Sequence, residues 1–483
     1  MTITTDDPFT PGQLASLRSA CQGAVSVPGE NPYQEEVATW NLAVRLRPTV
    51  VVGARTTDDV VAAVRWAARL GLAVGVNATG HGAVPNADGA LLINTRRLSR
   101  ITIDPGHATA TVGAGARMGD VTAAAARYGL APVQGSSGSA GAAGFTLGGG
   151  LGVLSRRFGL AADRVLSIDV VTSDGRLRTV DADRHPELFW ALRGGKGNFG
   201  VVTSYRTSLV RLSTFYGGGI FFDGAHAADV LHAYRHWITG LTEQTSTSVA
   251  LLHLPPDPAV PEPIRGRYVV HLRIAHVGDS GEGARLARGI RAAAPVLLDA
   301  LGDLPTTSLD LVHQDPPGPT PAHERGSLLD ELTPDTIDAV VREASAPGSP
   351  LMLAEIRQLG GAIARPPAIP SAVPGRSAPF VLFAIALDIP PLAEAGPRAV
   401  ASLLEAVRPW RSPVNFPNFL GRGSTPAEVQ AAWPDQSRGR LLDIKQGWDL
   451  ANMFRVGHAL LAAPSASASA LAAASAEVSS DAR

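Results

Sequence analysis

Clustered glycine constrains this chain more than any other feature. Glycine accounts for 51 of 483 residues, and it is not evenly spread. Three groups fall between positions 77 and 200: Asn77-Ala78-Thr79-Gly80-His81-Gly82, GSSGSAGAAGFTLGGGLG at 135–152, and RGGKGNFG at 193–200. One such group serves a tight turn as readily as a ligand. Three in one segment, one of them with a histidine between glycines, point to backbone N–H groups left bare. Such groups form concave nests for phosphate oxygens, and glycine lets the backbone approach a flat ring closely. The pattern predicts a large phosphate-bearing cofactor.

Other cofactor and nucleophile motifs fail on spacing. Gly113, Gly115 and Gly119 put the third glycine one place too late for a dinucleotide fingerprint. Lys196 is followed by Gly197 where a P-loop needs Ser or Thr. No GxSxG elbow surrounds Ser136, Ser137 or Ser139. His232 and His236 lie four apart and read as a solvated helix face, so no metal site is expected. The single cysteine, Cys21, excludes an internal disulfide and any cysteine-built zinc or iron–sulfur centre.

Acidic residues number 43 and basic residues 42, so no charge excess draws the chain to nucleic acid or an anionic membrane. The start, MTITTDDPFTPG, has neither a basic nor an apolar leader region, and FVLFAIAL at 380–387 is far shorter than the roughly 20 residues a membrane helix needs. A cytoplasmic protein with a small-molecule substrate, as a monomer or homodimer, is the expectation.

The pattern predicts an α+β chain. Residues 1–49 read as a lead-in. Val50–Val52 is a strand, and Thr56-Thr57-Asp58-Asp59 opens a helix that Gly71 closes. Leu72–Val76 is the next strand, expected to lie beside the first in parallel. Val165–Thr172 and Arg176–Val180 flank Asp174-Gly175 as a hairpin. After about 213, β-type runs at 248–254, 267–274, 351–359 and 378–388 predict a second, mainly antiparallel domain. The expected division is 1–212 for cofactor binding (core 45–212), 213–409 for substrate and 410–461 as a return to the first domain. An Ala/Ser-rich disordered tail is expected at 462–483.

The stretches ATGHGA (78–83), TVGAGARMGDV (111–121), GFTLGGGLGVLSRRFGLAADRV (144–165), HPELFWALRGGKGNFGVVT (185–203) and FPNF…RLLDIKQGWDLANMF (416–454) occur in a telling order. In this combination the chain resembles the berberine-bridge-enzyme-like FAD-linked oxidases of the vanillyl-alcohol-oxidase fold. The resemblance implies a PCMH-type FAD-binding domain of two α/β subdomains, and a substrate domain whose antiparallel sheet is covered by helices. It also implies FAD joined covalently to His81, with Asn77, Ala78, Thr79, Gly80, Gly82, Ser136, Ser137, Gly141, Ala142, Gly144, Leu147, Gly148, Gly200, Val202, Phe416 and Asn418 around it. A second link through cysteine, common in relatives, meets Ser137 here and is impossible. Lys196 replaces a usual glycine, and is read as reaching a phosphate or facing solvent.

Phe416 stands where relatives commonly carry a Tyr that helps take the substrate's proton, and phenylalanine cannot act as a base. Asn418 is retained. Glu355 is the best substitute base, with a structural salt bridge to Arg357 as the competing reading, on a strand where Leu351, Leu353, Glu355 and Arg357 are expected to share one face. His253 and His271 are weaker candidates. The small residues Ala140-Gly141-Ala142 leave room above the flavin ring, which in relatives accompanies reaction with O2. The implied activity is hydride transfer from a C–H of a partly hydrophobic metabolite to FAD, with O2 as acceptor. The alternatives are a redox-neutral cyclase and a ligand-sequestering resistance protein on the same scaffold.

Overall fold

The computed structural model describes residues 8–316, 318–346 and 348–460. Three sheets carry the architecture. The first orders its strands Ala24–Ser26, Val50–Gly53, Leu91–Asn94, Val74–Asn77. The helix Thr57–Leu70 packs on it through Val60, Ala63, Val64 and Ala67. Its start is a capping box: Thr56 accepts from Asp59 N, and the Asp59 carboxylate accepts from Thr56 N. Gly71 ends it with φ +67°, the left-handed conformation that favours glycine.

The two strands flanking this helix are not neighbours, contrary to the expectation above. Both pair in parallel with Leu91–Asn94, which lies between them. All four residues of that strand are buried, and a strand apolar on both faces is stable only in the middle of a covered sheet. The stretch read as a lead-in is also built in. Helix Pro11–Ala20 buries Leu14 and Leu17, and Ala24–Ser26 pairs antiparallel with Val50–Gly53.

The second sheet is antiparallel, in the order Ile101–Asp104, Thr109–Gly113, Val201–Ser208, Val165–Val171, Leu177–Asp181. It contains the expected hairpin at Asp174-Gly175. Its core extends to Trp433, Leu441 and Ile444, and Met453 O accepts from Val74 N at 2.9 Å, so the chain beyond 410 packs on the first half.

The third sheet is the largest. Its order is Val296–Asp299, Thr214–Asp223, Tyr268–His276, Thr245–His253, Leu351–Gln358, Phe380–Leu387, Ala322–Leu329, with Gly302–Pro305 also pairing to Thr214–Asp223. Every named pair is antiparallel. The helices Ala227–Trp237, Ser280–Arg291, Pro334–Ala344 and Ala395–Ala406 bury one face of it through Val230, Ile290, Val340 and Leu403. The other face meets the glycine-rich half of the chain.

The α+β class and the helix-covered antiparallel sheet are as expected. Strands Thr214–Asp223 and Ala322–Leu329 were not. Their sequences, TFYGGGIFFD and AHERGSLL, hide the alternation because three glycines interrupt one and buried polar groups the other. Residues 135–152 are not one loop either: Ala142–Leu147 is helical. The predicted tail at 462–483 lies outside the described residues.

Candidate cofactor and active site

The loop 77–82 leaves the first sheet at its edge strand Val74–Asn77. Asn77 anchors it, donating from Nδ2 to Ala38 O at 3.1 Å. Gly80 then turns with φ +76°. A Cβ there would lie 2.6 Å from Thr39 Cα, so the close approach and the dihedral both require glycine. Trp40 N donates to Thr79 O at 2.9 Å, and the indole of Trp40 stacks on His81 with centroids 4.6 Å apart.

Thr79 joins the two loops. Its Oγ1 accepts from Gly141 N at 3.1 Å and stands 3.0 Å from His81 Nδ1. Since the hydroxyl already accepts, its proton is free to be donated to Nδ1. His81 Nε2 then donates to Ser139 Oγ at 3.1 Å, and Ser139 Oγ is 2.7 Å from Ser137 Oγ. Burial, assisted by Arg117 and opposed by Asp315, brings the His81 imidazole down to about 4. It is neutral near pH 7, with the lone pair of Nδ1 held toward a hydroxyl proton rather than consumed by one.

Ala78, Thr79, Gly80 and His81 of one loop and Ser136, Ser137, Ser139, Ala140 and Gly141 of the other are all half-exposed. The Thr79–Gly141 and His81–Ser139 contacts bring the two loops side by side, with the trough between them as the candidate cofactor site. A Cβ added at Gly82 or Gly144 would meet nothing within 4 Å. The backbone N–H groups of Gly80, His81 and Gly82 find no acceptor among the described residues. Open space, bare donors and a neutral imidazole fit a flavin with its phosphates. Here Asn77, Thr79, Gly80, His81, Gly82, Ser137, Gly141 and Gly144 come together.

The remaining predicted cofactor residues support this trough from behind. Leu147 O accepts from Gly194 N at 2.7 Å, joining the second and third glycine clusters. Ala142 N donates to Ala116 O at 2.9 Å, tying the small residues Ala140-Gly141-Ala142 to the 113–118 turn. Gly200 and Val202 pack on Val170 and Val171 in the second sheet. Asn418 Nδ2 donates to Phe145 O at 2.8 Å, and its side chain occupies the space beside Gly148. Phe416 is 2% exposed among Leu151, Leu160, Leu328 and Val373. Lys196 follows neither sequence reading, since its ammonium donates to Pro417 O at 2.9 Å and lies 3.3 Å from His458 Nδ1.

On the facing sheet, Glu355 is not a free base. Its carboxylate accepts from Arg273 Nη1 at 2.5 Å and from Arg357 Nε at 2.9 Å. Burial works to raise its pKa, but Arg357, Arg273 and His313 outweigh it and hold the group well below the usual carboxylate range. Such a carboxylate is an anchored counter-ion with little proton affinity. Leu351 does not share its face: the register shifts between Leu351 and Leu353, which turns Leu351 into the helix-covered core. His253 also faces the helices, its Nε2 3.0 Å from Ala344 O. His271 stays on the face of Glu355 and accepts from Arg273 Nε at 3.2 Å. His232 pairs with Asp338 at 3.2 Å, and no metal-holding cluster occurs among the described residues.

Sequence reasoning missed Trp40, Ser139 and Arg273. Ser139 lies inside the second glycine cluster, and its alternation with Ser137 was a legible signal. Arg273 is 82 positions from Glu355 and gave none. No helix among the described residues is long and apolar enough to cross a membrane.

Residues 48–181 match the model of an FAD binding domain. The chain is 35% identical over 195 residues to (R)-6-hydroxynicotine oxidase of Paenarthrobacter nicotinovorans, covering 40% of this chain and 42% of that protein. It is 31% identical over 211 residues to an FAD-linked oxidoreductase of Dictyostelium discoideum, covering 44% and 47%. The chain thus spans about half the length of these curated relatives. The fold extends further. The structure of 6-hydroxy-D-nicotine oxidase from Arthrobacter nicotinovorans superposes with a TM-score of 0.79 at 23% identity, over 92% of this chain and 98% of that one. Xylooligosaccharide oxidase from Myceliophthora thermophila gives 0.81 at 22%, over 93% and 99%.

Proposed function

We propose, on the premise that this chain belongs to the FAD-linked oxidoreductases of the PCMH-type, vanillyl-alcohol-oxidase fold, that it oxidises a C–H of a small, partly hydrophobic metabolite with O2 as acceptor. Bound FAD supplies the hydride acceptor, and the protein positions and tunes. The chain's own part follows from the site. The loops at 77–82 and 136–144 hold the cofactor, and the face of the third sheet turned away from its helices holds the substrate against it. His81 makes the single covalent link, and Ser137 leaves no second one. Tailoring of a natural product in the cytoplasm is the context this reading favours.

One observation carries the proposal: His81 is neutral, stacked on Trp40, and placed by Thr79 and Ser139 at an open trough lined with bare amides. The test is the intact mass of purified, denatured protein. The wild-type chain should be heavier by one FAD, and His81→Ala should lose that increment while keeping its fold. A wild-type mass equal to the bare chain overturns the covalent reading.

A second reading has its own support. Phe416 offers no hydroxyl, and Glu355 is committed to two guanidiniums, so neither expected base is available. A redox-neutral cyclisation, or sequestration of a ligand without turnover, needs no such base. Anaerobic addition of substrate separates the three. Oxidation bleaches the flavin band, cyclisation changes the substrate with the band intact, and sequestration leaves both unchanged.

A further inference from the structure

Between the loop Leu151–Val153 and the helix-free face of the third sheet lies a narrow cleft lined by Arg156, Ser248, Arg273, His313 and Arg357. Its charge is unbalanced. Three guanidiniums face one carboxylate, Glu355, which is shared by Arg273 and Arg357. Arg156 is satisfied by backbone, donating to Thr245 O, Leu359 O and Thr242 O. Arg273 uses its donors on Glu355, His271 and His313 O. Arg357 differs, since its Nε and Nη2 both reach the single oxygen Oε2 of Glu355, and its guanidinium otherwise lies over the Phe419 ring, 5.7 Å from the centroid. Its guanidinium retains donor capacity at the cleft.

Unpartnered polar groups line the same cleft. Ser248 is 3% exposed, and its Oγ has no hydrogen-bond partner. His313 is 6% exposed; its Nε2 lies 3.3 Å from Glu355 Oε1, and its Nδ1 has no hydrogen-bond partner. Buried donors are seldom left unsatisfied, because each forfeits its hydration for nothing. A hydroxyl, an imidazole N–H and a guanidinium converging with surplus positive charge form a receptor for an anion. Planar, bidentate recognition by Arg favours a carboxylate.

We infer that Arg357, Ser248 and His313 form a subsite for a carboxylate of the substrate, with Glu355 as the positioning counter-ion that holds Arg357 in place. The inference rests on the reading that this sheet face holds the substrate. One wall of the cleft, Leu151–Val153, belongs to the second glycine cluster, the same cluster that supplies Ser137 and Gly141 to the cofactor loops. Substrates of this chain are then carboxylic acids, not neutral sugars.

Calorimetry on the holoenzyme tests this independently of turnover, with benzoate, its neutral analogue benzamide, and formate as probes. Benzoate should bind at least tenfold more tightly than benzamide. Arg357→Gln should abolish that difference, and Ser248→Ala, a near-isosteric change that spares the fold, should weaken benzoate several-fold. Formate at the affinity of benzoate would mark a site for free small anions and overturn the assignment to substrate. Equal binding of benzoate and benzamide, or benzoate binding unchanged in both variants, overturns the site itself. Flavin content, read by mass on the same samples, reports the functional reading separately.

Discussion

Arg357 and Glu355 lie two residues apart on one strand, with Arg357 Nε 2.9 Å from Glu355 Oε2. The pleat puts both side chains on one face, where the opposite side of the carboxylate meets Arg273 from two strands away. Glu355 is therefore the hub of a buried ion triad. Removing it leaves two guanidiniums without a counter-ion. Glu355→Ala should cost about 3–5 kcal/mol, read as a lower urea midpoint at pH 7.

The same triad has a pH signature. The Glu355 carboxyl is held below its ordinary value of 4.5 in the folded state. Its stabilisation is complete above the unfolded value and is lost as pH falls through the folded one. Wild-type stability should drop steeply as pH falls below about 4. The drop should be shallower in Glu355→Ala, which has no such proton to take up. Parallel acid limbs for the two proteins would contradict the ion-pair assignment.

His81 should attach its cofactor at a rate nearly independent of pH from 6 to 8, because its imidazole, brought down to about 4, is already neutral there. Below pH 5 the rate should fall as protonation removes the lone pair. Thr79→Val removes both the contact to His81 Nδ1 and the acceptor for Gly141 N. It should slow attachment, followed as the mass-shifted fraction against time after FAD is added to apoprotein.

Gly80→Ala meets backbone, not a pliable side chain: Thr39 Cα would stand 2.6 Å from the new Cβ. The left-handed dihedral alone costs roughly 1–2 kcal/mol. The variant should lose thermal stability and most bound FAD together. Gly82→Ala, where a Cβ meets nothing, should keep its stability.

Phe416→Tyr, the change that restores the relatives' residue, should not restore a base. The ring is 2% exposed in a buried apolar cluster with Leu151, Leu160, Leu328, Val373 and Phe419, so the added hydroxyl would enter apolar surroundings. A loss of about 1–3 kcal/mol with no gain in kcat is expected. A rise in kcat would show that the hydroxyl reaches substrate.

Local signals were legible where the cause is local. The Thr56 capping box, the left-handed Gly71 and the Asp174-Gly175 hairpin each need only a few adjacent residues, and each stands as read. The glycine clusters were legible for the same reason, since a bare backbone is written in the sequence wherever it is needed. The partners of the site were not. Ser139 lies 58 positions from His81, Asn418 lies 273 from Phe145, and neither pairing leaves a periodic trace.

The sequence by itself determined the class of fold and pointed to FAD as the cofactor, because glycine placement and motif order depend on backbone freedom alone. Tertiary structure decided which strands are neighbours and what each polar group on the substrate sheet does. Leu91–Asn94 separates two strands that chain order placed side by side, since burying both its faces requires a central position. One irregularity at Leu351/Leu353 sends Leu351 to the helices while Glu355 meets Arg273. A carboxylate's proton affinity depends on the charges within a few ångströms, and those charges come from parts of the chain that only folding brings together.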